Sequence, residues 1–247
     1  MLEIKNLCVS SGKREILRNI NLEIKPHTVT VILGKNAAGK STLISCLTGE
    51  RKYRGTVSFF GKNLAMLPPR ERASLIALLP QYLPKADLTV EELVRLGRTP
   101  YLDFAGRFCR EDKLQVEKAI SQVGIAHLKD RSLSRISGGE RQKAYLAMIL
   151  AQNTRLIALD EPSAYMDPAF SAELYTMISE LAVKKKKTVL AVMHDLTAAM
   201  EIADNVIVID GGEVIFASDK KTARDSGIIE KTFGVKRYDA EEMTFYR

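Results

Sequence analysis

The sequence predicts an α/β fold built around a parallel sheet, and three observations carry that expectation. Short apolar runs at Thr28–Leu33, Leu75–Leu79, Leu156–Leu159 and Thr188–Met193 alternate with helical stretches. The first is rich in β-branched residues, which suit a pleated strand. The second is apolar throughout, the mark of a strand covered on both faces. Each run also ends in a polar or glycine-rich segment: Leu33 in a glycine loop, Leu79 in Pro80-Gln81, Leu159 in Asp160-Glu161 and Met193 in His194. Ligands of open α/β sheets sit at the carboxyl ends of the strands, so these ends point to one site.

The glycine loop is the most specific signal. Gly34-x-x-x-x-Gly39-Lys40-Ser41 fits the phosphate-binding pattern G-x-x-x-x-G-K-[ST]. With glycine near 7% of residues, that spacing arises by chance in roughly one chain in a hundred of this length. Here it joins a strand to a helix expected over Ser41–Thr48, ending near Gly49. That order suits the chemistry, because backbone N–H groups and a helix N-terminus both favour bound phosphate. The expected nucleotide-binding residues are Gly34, Lys35, Asn36, Ala37, Ala38, Gly39, Lys40, Ser41 and Thr42. Lys40 supplies positive charge to the β- and γ-phosphates, and the Ser41 hydroxyl suits Mg²⁺.

Taken in order, Leu2–Val9 and Ile20–Ile24 read as strands with a turn at Ser10–Arg14, and Val57–Phe60 as a short strand before Gly61. Thr89-x-x-Glu92 is a capping box opening a helix through Leu96. Val116, Ala119, Ile120 and Val123 form the apolar face of a second helix, closed by Gly124. Residues from 85 to about 150 thus read as a helical insert between two strands. Within it, Ser137-Gly138-Gly139-Glu140 precedes the apolar helix Ala144–Ala151. Asp167-Pro168 gives an N-cap and a first-turn proline to a helix with Phe170, Leu174, Met177, Ile178 and Leu181 on one face. Val206–Ile209 and Glu213–Phe216 form a hairpin around Asp210-Gly211-Gly212. The charged, mixed residues after about 220 predict little.

At the strand ends, Asp160 occupies the usual place of a second Mg²⁺-organising carboxylate, and Glu161 can accept a proton from an attacking water. The competing reading is a turn before Pro162, which the glycine loop disfavours. Gln81 suits Mg²⁺ or water but is equally an ordinary loop residue, and His194 suits a γ-phosphate but equally a helix cap or core. The Ser137–Glu140 turn is a second anion site at a helix start. It cannot serve the phosphates held by Lys40, which lie on another helix. A dimer, each chain completing the other's site, resolves this.

Composition narrows the class. The 247 residues suffice for a substantial core, with 46% hydrophobic and 27% charged residues. No apolar run reaches the ~18 residues of a membrane span, and the start Met1-Leu-Glu-Ile-Lys-Asn lacks signal-peptide features, so a cytoplasmic protein is expected. Cys8, Cys46 and Cys109 lie scattered and suggest neither disulfide nor zinc site. The formal charge of +7 is spread along the chain. Its one block, Lys184–Lys187, falls at a helix end, where cations complement the dipole and remain solvated. No nucleic-acid partner is expected.

These residues together resemble the ATP-hydrolysing subunit of ABC transporters over essentially the whole chain. The Walker A loop Gly34–Thr42, the Q-loop Gln81, the signature Ile136–Glu140 and Walker B Leu156–Asp160 stand in the family's order. Glu161, the D-loop Ala164-Tyr165-Met166-Asp167 and the H-loop His194 complete it. The resemblance implies one P-loop NTPase domain with a RecA-like parallel core, an N-terminal antiparallel β subdomain, the helical insert and a short C-terminal extension over about 221–247. It makes Glu161 the catalytic base and His194 the γ-phosphate sensor, with Gln81 beside them and Mg²⁺ at Ser41, Gln81 and Asp160. Ser137, Gly138, Gly139 and Glu140 act on ATP bound to the partner chain.

A narrower likeness, in Leu88–Tyr101 and on through Arg107 to Glu111-Asp112, is to importers of ferric siderophores, haem and cobalamin. It implies a homodimer at the cytoplasmic face of the membrane, under two transmembrane permease subunits fed by a periplasmic or surface substrate-binding protein. Tyr101, Phe104 and Phe108 read either as local packing or as contacts to those membrane subunits. The chain departs from the family at three places: Ser11 where an aromatic usually stacks on adenine, Ala37 for a Walker A glycine, and Tyr165-Met166 for Ala-Leu in the D-loop.

The alternatives fit less well. A soluble ABC-type clamp for repair or translation requires coiled-coil or zinc insertions, or two ATPase copies, and a GTPase requires Asn-Lys-x-Asp; the sequence has none of these. A non-catalytic nucleotide-binding module fits poorly with Lys40, Asp160 and Glu161 all present.

Overall fold

A computed structural model of the chain describes residues 1–84, 86–164, 166–239 and 243–246. Tyr165 of the D-loop lies outside the described residues. The chain opens with a hairpin, β1 (Leu2–Ser11) and β2 (Arg14–Ile24), and continues into β3 (Val29–Leu33) and α1 (Lys40–Thr48). Next come β4 (Arg54–Phe59), β5 (Lys62–Asn63), α2 (Pro69–Leu75) and β6 (Ile76–Leu79). Three helices follow, α3 (Val90–Leu96), α4 (Arg110–Gln122) and α5 (Gly138–Gln152), before β7 (Leu156–Asp160). The sheet is completed through α6 (Pro168–Val183), β8 (Thr188–Val192), α7 (Leu196–Ile202), β9 (Asn205–Asp210) and β10 (Glu213–Asp219). Helices α8 (Lys220–Asp225) and α9 (Ile228–Phe233) and the small hairpin of β11 (Lys236–Asp239) and β12 (Met243–Tyr246) end it.

Two sheets form the centre. The larger has six strands in the order β10-β9-β3-β8-β7-β6. Its neighbours pair in parallel except β9 with β10, the hairpin expected at Asp210-Gly211-Gly212. The smaller is antiparallel, in the order β2-β1-β4-β5. Strands β3, β7 and β8 are buried along their whole length, so alternate residues feed opposite faces. Val31, Ile157, Leu159, Val189 and Ala191 join the core shared with α3–α7. Ile32, Leu156, Ala158, Leu190 and Val192 join a second core under α1 and the antiparallel sheet. The central strands are thus fixed from both sides, and their carboxyl ends carry the loops of interest.

Several boundaries differ from the sequence expectation for local reasons. The turn read at Ser10–Arg14 shrinks to Gly12-Lys13, with Ser11 paired to Arg14. β2 begins at Arg14 rather than Ile20, because its exposed residues Arg14-Glu15 and Arg18-Asn19 fall in adjacent pairs and break the alternation expected of a strand. Leu75 closes α2, a helix with proline at its first position, and β6 begins at Ile76. Lys187 is not a simply solvated cation: its Nζ donates to the Asn153 backbone and side-chain oxygens at 3.2 and 2.7 Å, and burial lowers its pKa, with Arg155 adding to the effect.

The capping signals behave as read. Thr89 and Glu92 exchange both capping-box bonds at the start of α3, and the Asp167 side chain accepts from Phe170 N at the start of α6. The three aromatics of the α3–α4 connection divide. Tyr101 packs under the Arg98 guanidinium at 4.0 Å and donates to Gln152 O, while Phe108 lies under Arg95 at 4.4 Å. Phe104 is fully exposed.

Candidate nucleotide site

The loop after β3 leads directly into α1. Gly39 at its end has φ 103°, in the left-handed region that glycine tolerates. A Cβ there would stand 2.5 Å from Leu17 Cδ2 and 3.2 Å from Ile16 O. At Gly34 a Cβ would overlap the Ile209 carbonyl. Both glycines are therefore demanded by close packing between the loop, β2 and β9. Ala37 also has positive φ, 61°, a conformation that strains alanine where glycine would adopt it freely.

Lys40 is 5% exposed, and its Nζ donates to Gly34 O at 2.7 Å and Lys35 O at 3.0 Å. Burial lowers its pKa, while Glu161 and Asp160 oppose that shift. Asp160, at the end of β7, is buried as well. Burial raises its pKa, the Ser41 hydroxyl bond opposes this, and the Glu161 charge adds to it. Asp160 Oδ1 has no hydrogen-bond partner among the described residues. A buried, unpaired carboxylate oxygen is costly. Beside Ser41 it forms an all-oxygen donor set, which fits a hard divalent cation such as Mg²⁺.

The strand ends converge as expected. Parallel pairing sets β6 beside β7 and β7 beside β8, which brings Gln81, Glu161 and His194 together. Gln81 Nε2 donates to Glu161 Oε2 at 2.8 Å, and His194 Nε2 lies 2.6 Å from Glu161 Oε1. Glu161 is itself at φ 52°, its N–H donating to Val192 O at 3.1 Å. A carboxylate residue in that sparsely populated conformation points to a functional constraint.

These groups share one cleft of about 760 Å³. Residues 36–42 form one wall and Gln81, Glu161 and His194 another, while Gly34 and Asp160 are buried and the exposed Lys35 lies outside the lining. The far wall comprises Ser11, Arg14, Glu15 and Ile16, with Gly211 and Gly212 beside them. Sequence reasoning missed all of this wall but Ser11. It began β2 too late and saw Gly211-Gly212 only as a hairpin turn. The adjacent apolar pair Ile16-Leu17 was the available signal.

Ser137, Gly138, Gly139 and Glu140 do not reach the cleft. Ser137 caps α5 in a capping box with Glu140: Ser137 N donates to Glu140 Oε2 at 2.8 Å and Glu140 N to Ser137 Oγ at 3.2 Å. The Ser137 backbone N–H, and after it the Ser137 hydroxyl, hold the Glu140 carboxyl below its ordinary range. A Cβ on Gly138 would meet nothing within 4 Å. The packing of this chain therefore gives no reason for glycine there. Sequence reasoning also missed Gln142, buried one turn on, whose Nε2 donates to Pro162 O at 2.5 Å and ties α5 to the residue after Glu161.

A phosphate loop, a buried carboxylate beside the loop's serine, and a glutamate at the cleft mouth, set on a parallel sheet, define a P-loop ATPase. The chain belongs to the ABC transporter family, whose model matches residues 17–164. It is 37% identical over 247 residues to the probable siderophore transport system ATP-binding protein YusV of Bacillus subtilis (strain 168), covering 99% of this chain and 90% of that protein. It is 35% identical to the ferric enterobactin transport ATP-binding protein FepC of Escherichia coli (strain K12), over 94% of this chain and 86% of FepC. Among solved structures, the fold matches a metal-chelate type ABC transporter in an inward-facing conformation, with TM-score 0.83, 21% identity, and coverage of 99% of this chain and 96% of that one.

Proposed function

We propose that the chain is the ATP-hydrolysing subunit of an importer for a metal chelate, with ferric siderophores as the leading substrate class. The observation that carries the catalytic half is the Glu161 carboxylate, held by Gln81 on one oxygen and His194 on the other at the mouth of the phosphate cleft. The names of YusV and FepC support the transport half.

In this reading the backbone N–H groups of residues 34–42 surround the phosphates and Lys40 supplies their countercharge. Glu161 takes a proton from the attacking water, which bonds to the γ-phosphorus as the ADP oxygen leaves. His194 and Gln81 fix the carboxylate that receives that proton, each from the end of a different strand. Ser41 and Asp160 would hold Mg²⁺, which when bound neutralises charge on the phosphate oxygens.

The α5 N-terminus serves a second copy of the chain. The helix has 15 residues, Ser137 stands at its tip and takes the Glu140 N–H, and Gly138 is open on its outer side. ATP held by Lys40 of one protomer would meet Ser137–Glu140 of its partner. No helix among the described residues is long and apolar enough to cross a membrane, so transport requires membrane subunits and, for import, a substrate-binding protein outside. Phe104, exposed in the α3–α4 connection, suits contact with those subunits at the cytoplasmic face. We favour this over a soluble clamp because the matched relatives are transport proteins.

The test mixes two inactive variants, Lys40→Ala and Ser137→Arg. In their heterodimer one composite site carries both lesions and the other neither, so part of the activity should return. No recovery from a proven heterodimer would exclude the shared site. Reconstitution with membrane subunits and a panel of metal chelates tests the transport half.

A further inference from the structure

The cleft is longer than a triphosphate needs. From the phosphate loop it runs across Ile16 to the turn between β1 and β2. No phenylalanine or tyrosine among the described residues lines it. Among the described side chains that line it, Arg14 carries the one guanidinium.

Its position follows from the strand. Leu17 is fully buried under the loop, and β2 bulges at Ile16 against β1, so that Arg14, Glu15 and Ile16 all line the cleft. Ile16 O would lie 3.2 Å from a Cβ on Gly39, so β2 is pressed against the phosphate loop at this point. Arg14 lies two residues nearer the turn between β1 and β2.

Arg14 is also unspent. Its side chain has no hydrogen-bond or ion-pair partner among the described residues. By contrast, Arg18 on the same strand is committed to Glu213 at 3.3 Å and to Gly211 O at 2.6 Å. A guanidinium plane stacks on aromatic faces, including nucleobases. The geometry points to Arg14 as the residue that stacks on the adenine of ATP, with Ile16 as the apolar wall below and Ser11 too small to compete. This rests on the nucleotide reading of the cleft. It makes base binding tolerant of any purine, since a stacked cation reads no hydrogen-bond pattern.

The test measures equilibrium binding of ATP and of inorganic triphosphate to the full chain and to two variants. Arg14→Ala should raise the ATP Kd about 3- to 5-fold, the scale of an exposed cation–π contact, and leave triphosphate binding unchanged. Arg14→Tyr should retain ATP affinity, because a ring replaces the plane without its charge. An equal loss of ATP and triphosphate in Arg14→Ala would reassign Arg14 to the phosphates and overturn the proposal, as would unchanged ATP affinity. Failure of the unmodified chain to bind either ligand would instead overturn the nucleotide site, and this inference with it. Both variants are at an exposed position, and a shared unfolding midpoint confirms that each is folded.

Discussion

Glu161 Oε1 and His194 Nε2 lie 2.6 Å apart. The contact joins the ends of two neighbouring parallel strands, β7 and β8, and sets the proposed base against the proposed sensor. Gln81 holds the other oxygen from β6, so three adjacent strands meet on one carboxylate.

Replacing that carboxylate separates binding from chemistry. Glu161→Gln keeps the size of the side chain but removes the proton acceptor. ATP binding should persist while turnover falls about 10²-fold or more. Lys40→Ala should weaken binding itself. Single-turnover hydrolysis beside equilibrium binding distinguishes them, and near-normal turnover in Glu161→Gln would assign the base elsewhere.

Ala37 and Gly39 test the loop backbone from opposite directions. Ala37→Gly relieves a left-handed conformation worth ~1–2 kcal/mol in a non-glycine residue, less the extra freedom glycine gains on unfolding. A net stabilisation of about 0.5–1 kcal/mol should appear in the denaturant midpoint, with turnover maintained. Gly39→Ala should destabilise and abolish nucleotide binding, because its Cβ meets Leu17 and Ile16. A well-folded, ATP-binding Gly39→Ala protein would contradict this picture of the loop.

The Arg98–Asp112 pair should govern part of the acid stability. The two are 2.9 Å apart and almost wholly buried, and Arg98 Nη1 also donates to Ala151 O. Burial pushes the Asp112 carboxyl up, but bonds from Cys109 and Arg98 outweigh it and leave the pKa below the ordinary value. A carboxyl lowered on folding stabilises above its unfolded pKa of ~3.9, and that contribution is lost as pH falls through the folded value. Asp112→Asn should therefore cost about 3 kcal/mol at pH 7, the scale for breaking a buried pair. It should also flatten the loss of stability toward acid. Urea midpoints between pH 7 and pH 3 measure both, and parallel curves for the two proteins would exclude the pair as a source of that slope.

Gln142 offers a fourth check. Gln142→Leu leaves the Pro162 carbonyl without its partner, at a cost of about 1–3 kcal/mol. Because Pro162 follows Glu161, kcat should fall while the ATP Kd stays near normal. A purely structural role would lower stability and leave kcat intact in the folded fraction.

The sequence by itself determined the local machinery. The phosphate loop, the capping box at Thr89 and the Asp167 cap are all legible because their partners lie within a few residues, where backbone geometry fixes the spacing. It also placed polar groups at four strand ends. It did not show that Gln81 and Glu161, 80 residues apart, share a hydrogen bond, nor Glu161 and His194, 33 apart. That depends on the order β3-β8-β7-β6, which follows from how helices cover both faces of the sheet and not from any one segment. The same holds for the far wall of the cleft. Arg14 and Ile16 look like surface strand residues until β2 is pressed against Gly39 and Gly212. Only the tertiary structure decided this, because close contact between distant backbones is set by packing, which no local pattern encodes.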